Sequence, residues 1–188
     1  NNDSLAKKEK DLLILTEGYP TYGGLAGRDL EAMSVGLKEV MNEDYLQYRL
    51  AQAKYLGEHL MRIGYDTIQP PGGHAIYIDA KSTLDHIPPL EFPGHALAIE
   101  LYKTGGIRSC EIGTVMFGKI DKETGKEIPT KMELLRLALP RRTHTQSHID
   151  YVVEVAKDVF DRKKNIKGLK IIDQPKTLRH FSASFQLL

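Results

Sequence analysis

Apolar positions along this chain recur first at helical and then at strand spacing, and the changes of period mark out its elements. Leu5, Leu12, Leu13 and Leu15 line one side of a segment reaching about Thr16, with lysines and glutamates opposite, which predicts a helix capped by Ser4. The Gly18-Tyr19-Pro20 step ends it. From Arg28 to Ile63 one stripe holds Leu30, Met33, Leu37, Val40 and Met41, and a second holds Leu46, Leu50, Tyr55, Leu56 and Leu60. The polar Asn42-Glu43-Asp44 between them predicts two helices or one bent helix. Gly64 is a natural stop, and Pro70-Pro71-Gly72-Gly73 turns the chain into Ala75–Asp79, a predicted strand rich in β-formers.

Phe92-Pro93 opens another helix, with Ala96, Leu97, Leu101 and Tyr102 behind it and Gly105-Gly106 at its close. Ile107 to Cys110 and Thr114 to Phe117 read as short strands. Asp121 to Glu127 forms the polar tip of a hairpin-like excursion, and Leu134 to Leu139 is the clearest strand of the chain. A final amphipathic helix spans about Ser147 to Lys163, burying Ile149, Val152, Val153, Ala156, Val159 and Phe160. The tail from Lys170 to Leu188 alternates basic and apolar residues, as an edge strand would. The element order predicts an α/β fold with helices packed on one side of a small, mostly antiparallel sheet. No repeat or long linker divides it.

Composition narrows the functional classes. With 188 residues, 41% of them hydrophobic, the chain can bury a real core. Its 26 basic and 25 acidic side chains leave a net charge of +1, so no field favours nucleic acid or an anionic membrane. The single cysteine, Cys110, cannot form an internal disulfide, and no apolar run approaches the roughly 18 residues of a membrane span. The polar start lacks the apolar core of a secretory signal, so a cytoplasmic address is expected. The absent initiator Met suggests a sequence that begins within a longer protein.

Three partial motifs fail on chemistry. Gly113 to Lys119 nearly spells a phosphate-binding loop, but Ile120 stands where the Mg²⁺-binding Ser or Thr belongs, and a polar turn follows instead of a helix. His144 and His148 are four apart, yet no Glu follows His144, and Thr145 or Ser147 is placed to cap a helix there. None of the histidines has a metal-site spacing, and no metal site is expected in this chain. Lys7 and Lys8 begin a charged helix face, which solvated lysines explain without a cofactor.

Two features carry chemistry. Arg136 interrupts the otherwise apolar Leu134 to Leu139, either on a solvent-facing strand face or as a bidentate clamp for a carboxylate ligand; the pattern leaves both open. The stretch Glu17 to Arg28 sets Tyr19, Tyr22 and several glycines before a helix, either as a tight turn or as a loop that lets backbone approach a ligand or neighbouring subunit.

Together with Gly72-Gly73-His74-Ala75, Gly106-Ile107-Arg108, Glu111-Ile112-Gly113, Leu135 to Arg141, Ile166-Lys167-Gly168-Leu169 and Leu178-Arg179-His180-Phe181, these residues resemble, in order, the C-terminal part of the β-eliminating lyases. That family comprises the tryptophanases and the tyrosine phenol-lyases. The resemblance covers essentially the whole chain. It implies the C-terminal small domain of an aminotransferase-like, fold type I enzyme over 28–188, with 1–27 as the end of the large domain and the interdomain loop.

The family's activity depends on pyridoxal 5'-phosphate, with a monovalent cation, potassium, in the full enzyme. The resemblance implies that Arg136 holds the substrate's α-carboxylate, that Ile112, His180 and Phe181 border the side chain, and that Tyr19 and Tyr22 belong to an active-site loop. Tyrosine phenol-lyases carry arginine at the position of Ile112 and phenylalanine at that of His180, so both positions point to the tryptophanase branch. An apolar Ile112 also suits an indole ring, opposite which an unpaired arginine would be costly. The family's cofactor lysine precedes the residues represented here. The chain alone is therefore expected to be inactive, and to need an N-terminal chain or segment within a homotetramer-like assembly. Alternatives are a non-catalytic binding or assembly subunit that keeps the fold, and a tyrosine phenol-lyase-like enzyme.

Overall fold

A computed structural model describes residues 2–19 and 26–188. Helix α1 (Asp3–Thr16) begins two residues earlier than expected, because the Asn2 side chain accepts from Leu5 N–H at 3.1 Å, where Ser4 was expected to cap. The run to Ile63 is two helices, α2 (Gly27–Glu39) and α3 (Glu43–Ile63), separated at the polar patch; Asn42 caps α3 by accepting from Tyr45 N–H at 3.0 Å. Gly64, at φ +117°, ends α3 in the left-handed conformation that only glycine adopts cheaply.

Strand β1 (Ala75–Asp79) leads into a short α4 (Ala80–Thr83), and α5 (Pro93–Gly105) follows with Pro in its first turn. Strand β2 occupies Cys110–Ile112, slightly later than expected, and Thr114–Phe117 is a single helical turn, α6, rather than a strand. The physical reason is local. The Glu111 carboxylate accepts from Val115 N–H (3.1 Å) and Met116 N–H (3.2 Å), and Glu133 accepts from Thr114 N–H (3.2 Å), so buried carboxylates cap N–H groups that a strand would offer to a neighbour.

The polar excursion is a small hairpin of β3 (Lys119–Ile120) and β4 (Glu127–Ile128), and it returns the chain to β5 (Leu134–Ala138). Helix α7 (Gln146–Asp161) starts at Thr145, whose hydroxyl lies 2.8 Å from His148 Nδ1, so His148 serves the cap. The tail does not add an edge to the main sheet: β6 (Leu169–Asp173) and β7 (Ser184–Leu187) pair with each other, flanking a one-turn α8 (Arg179–Ser182). Phe185 anchors this hairpin, its ring 5.9 Å from Phe92 and 4.3 Å from His95.

The central sheet has the order β1-β5-β2 and is antiparallel throughout. Alternation along the strands separates its faces. Ile76, Ile78, Leu135 and Leu137 point into a core completed by Leu56 and Leu60 of α3, Leu97 and Leu101 of α5, and Ile149, Ala156 and Val159 of α7. Each large aliphatic side chain buried there contributes about 1.5–3 kcal/mol. Tyr65 closes one end, its hydroxyl donating to Ala156 O at 2.8 Å and its pKa pushed up by burial. The architecture is thus α/β with small antiparallel sheets. In contrast, α1 and α2 bury no residue, and the stripes of Leu5, Leu12, Leu15, Leu30, Met33 and Leu37 lie exposed. No helix among the described residues is long and apolar enough to cross a membrane.

Candidate functional site

The second face of the central sheet carries the site. Register places Tyr77, Arg136 and Cys110 side by side across β1, β5 and β2, with Leu134 and Ile112 as the adjoining cross-strand pair. Arg136 is half-buried, and its Nε is shielded from solvent without a hydrogen-bond partner. No hydrogen bond or ion pair to its guanidinium occurs among the described residues, whereas the other buried or half-buried arginines each have one: Arg49 donates to Pro140 O, Arg141 to Gly36 O, Arg162 to the Glu100 carboxylate and Arg179 to Val115 O, although Nε of Arg141 is likewise shielded without a partner. Asp79, Tyr77 and Cys110 share this face with Ile112, Leu134 and Ala138, and a guanidinium left open among them has the geometry to take a planar anion. Ile112 lies diagonal to Arg136 across the ladder, a position about 7–8 Å away, with the Cβ atoms somewhat closer. A carboxylate on the arginine would therefore leave its substituent beside the isoleucine.

Beneath Ile112 the chain is locked by two acids. Glu133 is fully buried and Glu111 nearly so, and they converge on Gly113, where an added Cβ would lie 2.3 Å from Glu133 Oε2 and 2.6 Å from Glu111 Oε1. Only glycine leaves room for both. Thr130 Oγ1 donates to Glu133 at 3.1 Å, and Thr114 Oγ1 donates to the same oxygen. Burial pushes the Glu111 carboxyl up to about 7, against the pull of three backbone N–H groups and with a further push from Glu133. Burial raises Glu133 too, with its threonine partners acting the other way.

His180 sits on α8, which is fastened to α6 by its neighbour Arg179. Arg179 Nε donates to Val115 O at 2.7 Å, and its terminal nitrogens reach Thr114 O, the Glu127 carboxylate and, at 3.3 Å, Gln174. Because α6 begins two residues after Ile112, this clamp ties the His180 turn to the segment that follows Ile112 in the chain. Burial, then the adjacent Arg179 charge, lowers the His180 pKa. Its ring is 4.1 Å from that of Phe181, and Phe181 meets Tyr19 edge-on at 5.4 Å. Tyr19, Phe181 and His180 are therefore gathered, as are Arg136 and Ile112; Tyr22 lies outside the described residues. Sequence reasoning passed over Glu133, Thr114, Glu127 and the Arg179 clamp. The one available signal was an acid immediately before an apolar strand, and it gave no hint of its partner.

The residues present fit the substrate's end of a cofactor–substrate pair. The sheet face offers a cation for a carboxylate, but its residues on β1 (Ala75, Tyr77, Asp79), β5 (Leu134, Arg136, Ala138) and β2 (Cys110, Ile112) include no lysine that could hold an aldehyde cofactor. No cluster of three or more potential metal-binding side chains occurs among the described residues.

Comparison with known proteins gives a consistent result. Residues 32–155 match the family described as Beta-eliminating lyase. The chain is 57% identical over its whole length to a tryptophanase of Hyphomonas neptunium, covering 41% of that protein, and 56% identical over 97% of its length to a tryptophanase of Salinibacter ruber, covering 38% of it. It is 45% identical over 99% of its length to a tyrosine phenol-lyase of Pasteurella multocida, covering 40% of it. The chain thus spans about two fifths of the length of these relatives.

Proposed function

Because this chain belongs to the β-eliminating lyases, we propose that it is the substrate-recognising C-terminal part of a pyridoxal-phosphate-dependent tryptophanase, which eliminates indole from L-tryptophan and leaves pyruvate and ammonia. The observation that carries this reading is Arg136, a guanidinium with no bonded partner among the described residues, on the second face of the central sheet with Ile112 diagonal to it. The clamp accepts the α-carboxylate, which fixes the substrate's α-carbon and aims its side chain at Ile112 and the His180-Phe181 pair. His180, its pKa lowered, is neutral at pH 7 and can offer a ring nitrogen as acceptor. The indole N–H is a donor only, so the two are complementary. Isoleucine at 112 adds no charge beside an apolar bicyclic ring, in keeping with the higher identity to tryptophanases than to the tyrosine phenol-lyase.

When bound, the cofactor supplies an electron sink for the carbanion left by α-proton removal. Its anchoring lysine, and the potassium ion the family implies, belong in our reading to a part of the enzyme outside these residues, within a larger fold type I, homotetramer-like assembly. The exposed apolar stripes of α1 and α2 suit burial against that part. The test is to purify the protein from its native source, weigh its chains, record the visible absorbance of bound cofactor, and assay tryptophan for indole and pyruvate. Indole release from a cofactor-containing assembly is the expected result. Release of phenol from tyrosine in its place, or a cofactor-free assembly without turnover, would overturn the reading.

A further inference from the structure

We propose that Arg179 is a positioning residue, which sets the leaving-group specificity of the site by clamping the His180 turn onto the C-terminal end of α6. The inference rests on the proposed role of His180, and it extends that role to a side chain that itself need not touch the substrate.

Four observations converge on it. First, α6 is a one-turn helix, and its carbonyls at Thr114 and Val115 are both bonded by the guanidinium of Arg179. The opposite end of the same turn is held by Glu111 and Glu133, so acids meet its N–H groups and a cation meets its carbonyls, the arrangement that a helical turn's dipole favours at each end. Second, the clamp is charge-assisted and shielded: the Arg179 side chain is 13% exposed and that of its partner Glu127 is 21% exposed, so water competes little for either.

Third, the approach is tight. A Cβ at Gly118 would come within 2.7 Å of the Arg179 guanidinium and 2.8 Å of Glu127 Oε1, so the glycine after α6 makes room for the pair. Fourth, Leu178, immediately before Arg179, is held at φ +56°, a left-handed conformation unfavourable for a branched side chain. Such a conformation persists only where surrounding contacts over-determine it, and the Arg179 bonds are the contacts at hand. The two elements that face a substrate's side chain, Ile112 before α6 and His180 on α8, are thus joined through one guanidinium.

The test compares tryptophan with S-methylcysteine in the complete, cofactor-loaded enzyme, since S-methylcysteine shares the α-carboxylate but has no ring for His180 to meet. Arg179→Ala is expected to lower kcat/KM for tryptophan on the order of 100-fold, the usual cost of misplacing a contact by about an ångström, and to change S-methylcysteine turnover only a few-fold. Arg179→Lys, which keeps the charge but not the fork, should fall between. In a His180→Phe background the same replacement should no longer alter the tryptophan to S-methylcysteine ratio. Should Arg179→Ala not accumulate as folded protein, Glu127→Gln, which weakens the clamp and keeps the arginine, carries the comparison with a smaller effect in the same direction. Equal losses on both substrates, or a selectivity effect that survives unchanged in the His180→Phe background, would overturn the positioning role. If His180→Phe alone fails to discriminate the two substrates, the reading of His180 falls and this proposal falls with it.

Discussion

Glu111 and Glu133 close on Gly113 from two sides, leaving no volume for a side chain: the virtual Cβ lies 2.6 Å from one carboxylate and 2.3 Å from the other. The glycine of the Glu-Ile-Gly motif is therefore a packing requirement set by two acids, one of which lies 20 residues further along the chain at the entry to β5. Neither acid is expendable, because between them they cap the N–H groups of Thr114, Val115 and Met116.

Gly113→Ala should consequently destabilise the protein by about 1–3 kcal/mol, the usual cost of overpacking a filled interior. Thermal unfolding of the purified variant reads this directly. An unchanged midpoint would mean that the acids have room to move apart.

The Glu111 carboxyl gives a pH dependence with a definite sign. Its folded value of about 7 exceeds the ordinary 4.5, so between those two values the unfolded chain has released this proton while the folded chain keeps it. The folded state then binds more protons, and this group's contribution to stability falls as pH rises through that window. Glu111→Gln keeps an acceptor and removes the titration. The difference in unfolding free energy between the two proteins should shift in favour of the variant from pH 4.5 to pH 7 and level off above. A difference that is flat across the window would contradict the assigned shift.

Arg136 predicts a loss without selectivity. Replacing it with Ala in the complete enzyme removes a charge-assisted contact of about 1.5–3 kcal/mol, which corresponds to roughly 10- to 100-fold in affinity. The loss should be similar for tryptophan and for S-methylcysteine, because both present the same carboxylate. Arg136→Lys should recover part of it, since a point charge cannot form the bidentate pair. Unaltered amino-acid affinity in Arg136→Ala would remove it as the carboxylate clamp.

The parts of this fold and site that were legible in the sequence are those governed by local pattern. Strand β1 and helix α5 followed from β-formers and from Pro93 with a glycine stop, and the break before α3 from one polar patch with an Asn cap. Arg136 stood out because a cation inside an apolar strand needs an answer. Thr114 to Phe117 misled, since β-branched and aromatic residues suggest a strand, and only the acids at Glu111 and Glu133 turn them into a helix. The tail misled for a related reason: its alternation gave a strand, but which strand it pairs with depends on Phe185 finding Phe92 and His95, a contact between segments far apart in the chain. The Arg179 clamp was invisible for the same reason. All its acceptors but Gln174 lie more than 50 residues away.

His180 yields the prediction that separates recognition of the ring from recognition of the amino acid. Burial and the neighbouring Arg179 charge both disfavour its protonated form, so its pKa lies below the ordinary 6.5 and the imidazole is neutral at pH 7. A neutral ring has one nitrogen free to accept from the indole N–H; a protonated ring has two donors and no acceptor. As pH falls through the lowered value, tryptophan should lose this contact while S-methylcysteine, lacking the ring, loses nothing there. The ratio of their kcat/KM values should thus be constant near pH 7 and decline at a point below pH 6.5. Taking the ratio cancels every titration common to the two substrates, including those of the cofactor and the carboxylate clamp. His180→Phe should lower the ratio at neutral pH and flatten the decline. An inflection that persists unchanged in His180→Phe would assign the titration to another group and take ring recognition away from His180.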